Sequence, residues 1–172
     1  MTPRALIRTA RNHFFFAVVL WAAARNDLLE PNLPDSVDWT NDAGVTRTLS
    51  WQKTKAGVAT EAVNNMRAAL GVAMIQLDKV LADQFNGARY KDTDPERRAA
   101  RCVVYMLRCA FAHNPLMPDW NITNAGYAQN FVIPSARFSL DLTNANGKSL
   151  DGGGLDWFGL LDLFDYCETL VP

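Results

Sequence analysis

Hydrophobic residues recur every three or four positions in the first half of the chain, the spacing that places them on one face of a helix. Thr2 and Pro3 suit the cap and the first position of a helix, and two prolines further along would stop it. We therefore predict a first helix from Pro3 to near Glu30. A second long helix is predicted over residues 58–86, followed by Gly87, which suits the left-handed conformation after a helix end.

The segment between these two helices, residues 31–57, has a different composition. It is polar and is punctuated by proline, asparagine, aspartate and glycine, the residues that favour turns and irregular backbone. This composition predicts a long loop, with a short helix around residues 49–55.

A third helix is predicted from the signals at its two ends. The residues Thr-Asp-Pro-Glu at 93–96 combine a capping box with a proline suited to the first helical turn. Pro115 disfavours helical geometry in the residue before it, so the helix should end near His113.

The C-terminal part of the chain changes to alternating apolar and polar residues, the period of a half-buried strand. Residues 130–133 and 136–142 are predicted to form a short hairpin. The three glycines at 152–154 predict a flexible hinge and not a phosphate loop, because the lysine and hydroxyl residue of such loops are missing. Residues 155–170 then predict a final amphipathic helix.

Together these elements predict a mainly α chain with a small C-terminal hairpin and a final helix. The 172 residues are expected to form a single domain, because a chain of this length buries a sizeable core without disulfides or metals. We expect the helical core at about residues 3–115, with the loop at 31–57. The hairpin and last helix, at about 130–170, are expected as an appendage.

Charge and cysteine content exclude some function classes. The net charge of -1 gives no overall field that attracts nucleic acid or a membrane, so any polyanion site must be a local patch. The three cysteines are too few, and odd in number, for a disulfide framework. They favour a reducing compartment, and we expect a soluble, cytoplasmic protein.

The N-terminal segment has a second interpretation. Arg4, Arg8 and Arg11 precede the apolar residues 14–24, an order typical of a secretory signal peptide. That apolar run is too short to span a bilayer as a helix. We favour a buried N-terminal helix and expect no membrane association.

The third predicted helix concentrates residues that suit phosphate binding. Arg97, Arg101, Tyr105 and Arg108 fall within one narrow stripe at 100° per residue. Arginine presents a planar fork of donors that matches phosphate oxygens, so the stripe is a candidate phosphate cradle. The alternative is an ordinary solvated helix face.

His113, at the end of this helix, completes the candidate site. An imidazole serves as a general acid or base near neutral pH, although a histidine at a helix C-terminus also has a purely structural explanation in the helix dipole. Arg108 and His113 are separated by four residues, and this arrangement resembles the Arg-x4-6-His motif of the HEPN (higher eukaryotes and prokaryotes nucleotide-binding) superfamily. Arg8 and His13 have the same spacing, but they lie in the first helix and not on a later core helix.

The resemblance implies a fold, an activity and partners. Many members are metal-independent endoribonucleases of toxin–antitoxin, phage-defence and RNA-processing systems, built as up-down helical bundles that commonly dimerise. It implies that His113 activates a ribose 2′-hydroxyl or protonates the leaving oxygen, and that Arg108 holds the phosphate. RNA, a second copy of the chain and an antitoxin or other protein are the implied partners, with no cofactor and no metal. Arg101 and Arg97 would assist, and Tyr105 or Asn114 would orient the phosphate.

Two positions of an ideal helix five residues apart point about 140° away from each other, so Arg108 and His113 would not meet in a straight helix. A frayed last turn or a dimer would bring them together, and the sequence leaves both open. Cys109 also stands where the family often has a polar residue.

Other functions stay open as well. Cys109 and His113 have the spacing of zinc ligands or of a nucleophile and its base, although no second pair of metal ligands accompanies them. A non-catalytic helical domain that binds nucleic acid or a protein partner is the main alternative to a nuclease.

Overall fold

The computed structural model describes residues 1–50, 54–150 and 155–172. Over these residues the chain forms four α-helices and two antiparallel hairpins of two strands each, which confirms the prediction of a mainly α protein with a C-terminal hairpin and final helix. The helices are α1 (Pro3–Arg25), α2 (Lys55–Gln84), α3 (Pro95–His113) and α4 (Gly159–Thr169). The strands are β1 (Ser36–Thr40), β2 (Thr46–Ser50), β3 (Asn130–Ile133) and β4 (Phe138–Asp141).

Helix α1 starts where the sequence predicts and ends earlier than predicted. The Thr2 side chain accepts a hydrogen bond from the backbone of Ala5, as expected of the cap. At the other end, Asp27 adopts a left-handed conformation with φ 59°, and the next N–H, of Leu28, donates back to the carbonyl of Ala23 at 2.9 Å. This pattern satisfies the last carbonyls of the helix, so α1 stops at Arg25 before the prolines are reached.

Helix α2 begins three residues earlier than predicted because Thr54 caps it. The Thr54 hydroxyl accepts a hydrogen bond from the N–H of Gly57 at 3.1 Å. The helix ends at Gln84, and Gly87 has the left-handed conformation that the sequence predicts, with φ 82°.

The segment predicted as a long loop contains a hairpin, so that prediction was wrong. Strands β1 and β2 pair in register from Ser36–Ser50 to Thr40–Thr46, and β2 also excludes a helix at residues 49–50. The Asn41 side chain closes the turn by accepting hydrogen bonds from two backbone N–H groups. All ten strand residues are exposed. The sequence therefore lacks the alternation of apolar and polar residues that predicts a strand with one buried face.

Helix α3 has the predicted bounds, but its cap is one residue later than the proposed capping box. The Asp94 carboxylate, and not the Thr93 hydroxyl, accepts from the backbone N–H groups of Glu96 and Arg97. The Glu96 carboxylate is directed to Ser135 instead, where it accepts from both the backbone and the hydroxyl.

The C-terminal hairpin is present over nearly the predicted residues. Strands β3 and β4 are joined by a 3₁₀ turn and pair from Asn130–Asp141 to Ile133–Phe138. One face of each strand is buried, as the alternating pattern predicts.

The last helix begins later than predicted. The Asp156 carboxylate accepts from the N–H of Phe158, and this local turn delays the helix until Gly159. The predicted hinge at residues 152–154 lies outside the described residues.

The chain divides into two compact units, residues 1–15 with 67–172, and residues 16–66. In the first, α3 packs beside β3, and α4 packs beside β4. The residues expected as an appendage therefore belong to the same unit as α3. The core of this unit includes Phe14 against Phe164, with ring centroids 6.1 Å apart. At Gly71, a Cβ atom would lie 3.0 Å from Phe111, so the absence of a side chain permits close packing between α2 and α3.

The second unit contains the end of α1, the β1–β2 hairpin and the start of α2. A pocket of about 660 Å³ lies within it, lined mainly by leucine, valine and alanine side chains. Among the helices of the described residues, none combines the length and the hydrophobicity that crossing a membrane requires.

Candidate functional site

Arg97 and Arg101, two members of the predicted phosphate-binding stripe, are bound within the protein. Both guanidinium groups hydrogen-bond the carboxylate of Asp92, at 2.6 Å from Arg97 and 2.7 Å from Arg101. Arg101 also donates to the backbone carbonyls of Phe85 and Gly87, which lie just beyond the end of α2. The side chains of Asp92 and Arg101 are each only 3% exposed.

These contacts correct the prediction that Arg97 and Arg101 bind phosphate. Arg101 is buried, and both of its terminal Nη atoms donate to Asp92 or to backbone carbonyls, so it cannot reach a ligand in solution. Arg97 is partly exposed, but its two-pronged contact with Asp92 uses the fork that a phosphate would need. The hydrogen bonds from Arg97, followed by those from Arg101, hold the pKa of Asp92 well below its usual range despite burial. The cluster is structural.

Helix α3 stays helical up to the Asn114–Pro115 pair. The helix includes His113, which is exposed, and Asn114 follows in an extended conformation. The Asn114 side-chain oxygen accepts from the backbone N–H groups of Leu116 and Met117. Asn114, predicted to orient a phosphate, therefore shapes the loop after the helix with its carbonyl oxygen.

His113 lies on the wall of a pocket of about 390 Å³. This volume is near the lower end of the range of about 300–1,000 Å³ for small-molecule sites. The pocket combines aromatic, amide and hydroxyl groups from α3 and from the segments before and after it. Its lining residues are Tyr90, Tyr105, Met106, Cys109, His113, Asn121, Thr123, Asn124 and Tyr127.

Three tyrosine rings form one side of this pocket. The ring of Tyr127 lies 5.2 Å from that of Tyr105 and 5.6 Å, edge-on, from that of Tyr90. The guanidinium of Arg89 lies 4.2 Å from the centre of the Tyr105 ring, where a cation and an aromatic face attract each other. Two hydrogen bonds of 2.9 Å to Asp78 fix Arg89 in that position.

The loop of residues 121–124 also contributes to the pocket lining, and other segments hold it in place. The backbone N–H of Gly147 donates to the carbonyl of Trp120 at 2.7 Å. The N–H of Ile122 donates to the side-chain oxygen of Asn146 at 2.8 Å. The Trp120 side chain is buried, so the loop is anchored beside the pocket.

Cys109 lies beside Arg108 and shares the pocket lining with His113. Positions 109 and 113 lie on one face of α3, and both side chains line the pocket. Arg108 is not among the described lining residues, but its Nη1 atom lies 3.9 Å from the Cys109 sulfur. The structure therefore places the motif histidine at the pocket and the motif arginine beside Cys109, and α3 stays helical through His113.

Tyr105 is the other member of the predicted stripe that reaches this site. It is half-buried, and a hydrogen bond with the Cys109 side chain is the main cause that raises its pKa. Burial raises the pKa of Tyr127 to about 12. Both phenols are therefore neutral at physiological pH, and the pocket wall they form carries no anionic oxygen.

Sequence reasoning missed several residues of the pocket, namely Tyr90, Asn121, Thr123, Asn124 and Tyr127. They lie in 3₁₀ turns and irregular segments, where no hydrophobic period relates them to α3. The only available signal was the cluster of polar turn residues at 121–124, which follows the helix end closely.

The second copy of the motif has no comparable surroundings. Arg8 forms an ion pair with Glu168, and His13 is exposed on α1. Within the described ranges, no group of three or more histidine, cysteine or acidic side chains could hold a metal ion, and the Cys109–His113 pair gains no third ligand.

The three cysteines should differ sharply in reactivity. Iodoacetamide is expected to alkylate Cys109 in the folded protein, because it is half-exposed at the pocket, and to spare Cys102 and Cys167. Burial raises the pKa of the Cys102 thiol to about 11 and raises that of Cys167 further, which suppresses the reactive thiolate. Peptide mapping by mass spectrometry measures the three sites. Labelling of Cys102 as fast as Cys109 under native conditions would contradict the pocket geometry.

No protein-family model, no curated protein and no solved structure matches this chain.

Proposed function

We propose that this protein is a metal-independent endoribonuclease of the HEPN type, with His113 and Arg108 as its catalytic residues. The observation that carries the proposal is that both residues lie at the end of α3 beside one pocket. His113 and Cys109 line one pocket, and the Arg108 guanidinium lies 3.9 Å from the Cys109 sulfur. A candidate general base and a pocket of about 390 Å³ thus occur together, with the Arg108 cation beside the pocket residue Cys109.

The proposed reaction is an internal transfer at a phosphodiester. His113 takes the proton from a ribose 2′-hydroxyl, and the 2′-oxygen attacks the adjacent phosphorus. The bond from phosphorus to the 5′-oxygen breaks, and that oxygen leaves with a proton. Arg108 stabilises the negative charge that develops on the phosphate oxygens. The products are a 2′,3′-cyclic phosphate and a 5′-hydroxyl, and the reaction consumes no cofactor.

The resemblance also suggests a setting for this activity. We propose a cytoplasmic homodimer in which two copies of the motif face one cleft, so that the second histidine serves as the acid. A toxin or phage-defence role, with an antitoxin as partner, belongs to the same proposal.

The test is incubation of the purified protein with mixed single-stranded and structured RNAs in EDTA. Fragments ending in 2′,3′-cyclic phosphate are expected from the wild type and not from the Arg108→Ala/His113→Ala double variant. Equal cleavage by both proteins would identify a contaminant, and no cleavage by the folded wild type on several RNAs would overturn the proposal.

A helical domain that binds a protein partner is the second candidate. It is favoured by exposed apolar side chains in the unit of residues 16–66, including Phe16 and Val19 of α1 and Trp39 of β1, which are 61%, 45% and 56% exposed. Cys109, in place of the polar residue common in the family, agrees with a domain that binds without cutting. The RNA assay separates the two candidates.

A further inference from the structure

We propose that the tyrosine-lined pocket is a subsite for one unstacked nucleobase, which makes single-stranded RNA the substrate class. The inference rests on the proposed function for the identity of the polymer as RNA. The recognition of the base rests on the pocket itself.

The chemical character of the lining favours a flat neutral ring over a phosphate. Its walls combine tyrosine rings with amide and hydroxyl side chains, and His113 is the only residue among the described lining residues that can carry a positive charge. A phosphate site needs several donors or cations, whereas a base needs an aromatic surface and groups that match its edge. The pocket has the aromatic surface and the polar groups that a base needs.

The aromatic surface is held in place before any ligand arrives. Tyr105 is fixed by Arg89, which is in turn fixed by Asp78, and Tyr127 is 9% exposed. Tyr90 is half-exposed, and its ring lies edge-on to that of Tyr127. Of the three tyrosine rings, that of Tyr90 is therefore the one that a base can approach most directly. A rigid aromatic surface loses little entropy on binding.

The polar side chains that line the pocket have donors and acceptors free to bind the edge of a base. No described residue hydrogen-bonds the side chains of Asn121 or Thr123, and both are exposed at the pocket. The Asn124 side-chain oxygen accepts from the N–H of Gly126 at 2.8 Å, which orients its amide nitrogen as a donor. An asparagine amide offers one donor and one acceptor, the pattern that pairs with the edges of nucleobases.

The position of His113 gives the subsite its role in the reaction. A base held against the tyrosines carries its own ribose toward the pocket wall, where His113 and Cys109 lie. Only an unpaired base can enter, because bases within a duplex are stacked and paired. The pocket therefore selects the nucleotide whose 2′-hydroxyl is activated.

The closing experiment uses ligands that cannot be cleaved. The four nucleoside 5′-monophosphates and ribose 5-phosphate are titrated into the wild-type protein in EDTA, with binding followed by calorimetry. At least one nucleotide is expected to bind about tenfold or more tightly than ribose 5-phosphate. The Tyr90→Ala variant should bind that nucleotide at least about fivefold more weakly, as expected for the loss of one stacking ring.

Matched variants separate recognition from folding. Tyr90→Phe keeps the ring and should bind as the wild type does, and Asn121→Ala should change the ranking of the four nucleotides. Tyr90→Phe and Asn121→Ala should unfold at the wild-type denaturant concentration, because the first keeps the ring beside Tyr127 and the second changes an exposed residue. Tyr90→Ala loses that ring contact, so its binding is measured at a temperature where circular dichroism shows it fully folded. Binding of every nucleotide as weakly as ribose 5-phosphate would overturn the subsite, as would wild-type affinity in Tyr90→Ala.

The two proposals fail separately. If RNA is cut but no nucleotide binds in the pocket, the base subsite is wrong and the nuclease stands. If a nucleotide binds through Tyr90 and RNA is not cut, the subsite stands and the nuclease is wrong.

Discussion

Replacing His113 with glutamine is expected to reduce the rate of RNA cleavage by about 10²–10⁴-fold, the range typical of a lost general acid or base. Glutamine keeps the polarity and approximate size of the side chain but cannot exchange a proton near neutral pH. His113 is exposed at the helix end, so the change should not affect folding. Single-turnover cleavage of a labelled single-stranded RNA measures the effect, with saturating protein to exclude differences in binding.

The chain supplies a matched control in its second copy of the motif. His13 also follows an arginine by five positions and is also exposed on a helix, but Arg8 is engaged by Glu168. The His13→Gln variant should cut RNA at the wild-type rate. A similar loss in both variants, or wild-type activity in His113→Gln, would remove His113 from the reaction.

Replacing Asp92 with asparagine is expected to lower the free energy of unfolding by about 3–5 kcal/mol, the cost of breaking a buried ion pair. Asparagine fits the space but leaves the buried guanidinium of Arg101 without an anion, and Arg97 loses its partner as well. Urea denaturation followed by circular dichroism measures the change. The matched control is Asp83→Asn, which removes the exposed pair with Lys79 and should cost about 1 kcal/mol or less.

The same cluster predicts how stability depends on pH. The pKa of Asp92 is lower in the folded protein than in the unfolded chain, so its stabilising contribution is complete above the unfolded value of about 3.9. That contribution is lost as the pH falls below this value toward the folded pKa. Unfolding by acid should therefore be less steep in Asp92→Asn than in the wild type. Equal acid-unfolding curves for the wild type and Asp92→Asn would show that Asp92 has the same pKa in the folded and unfolded states.

Local signals in the sequence were sufficient to predict the bounds of an element where the residues next to each bound determine it. The bounds of α3 follow from Pro95 and Pro115, which act on their immediate neighbours. The end of α1 was missed because the left-handed residue that closes it is Asp27, and an aspartate specifies that conformation less strongly than glycine does. The exposed β1–β2 hairpin has no buried face, so its sequence lacks the alternating apolar and polar residues that predict most strands.

The candidate site was predicted only in part, for a related reason. Arg108, His113 and Tyr105 share α3, and helical spacing relates them directly. The partner of Arg101 is Asp92, in the turn before the helix, and its other acceptors are carbonyls at the end of α2. Such contacts depend on tertiary packing, so the spacing on α3 gave Arg101 the wrong role. The pocket tyrosines outside α3 were missed for the same reason.

The most direct test of the central claim concerns the nucleophile. Once the cleaved position of a single-stranded RNA is known, the same strand is made with one 2′-deoxynucleotide at that position and is incubated with the wild-type protein in EDTA. We predict that cleavage at this bond disappears, because the oxygen that His113 activates is missing, while other susceptible bonds are still cut. Cleavage of the deoxy-substituted bond at the original rate would contradict attack by the 2′-hydroxyl, and with it the role of His113 proposed for this protein.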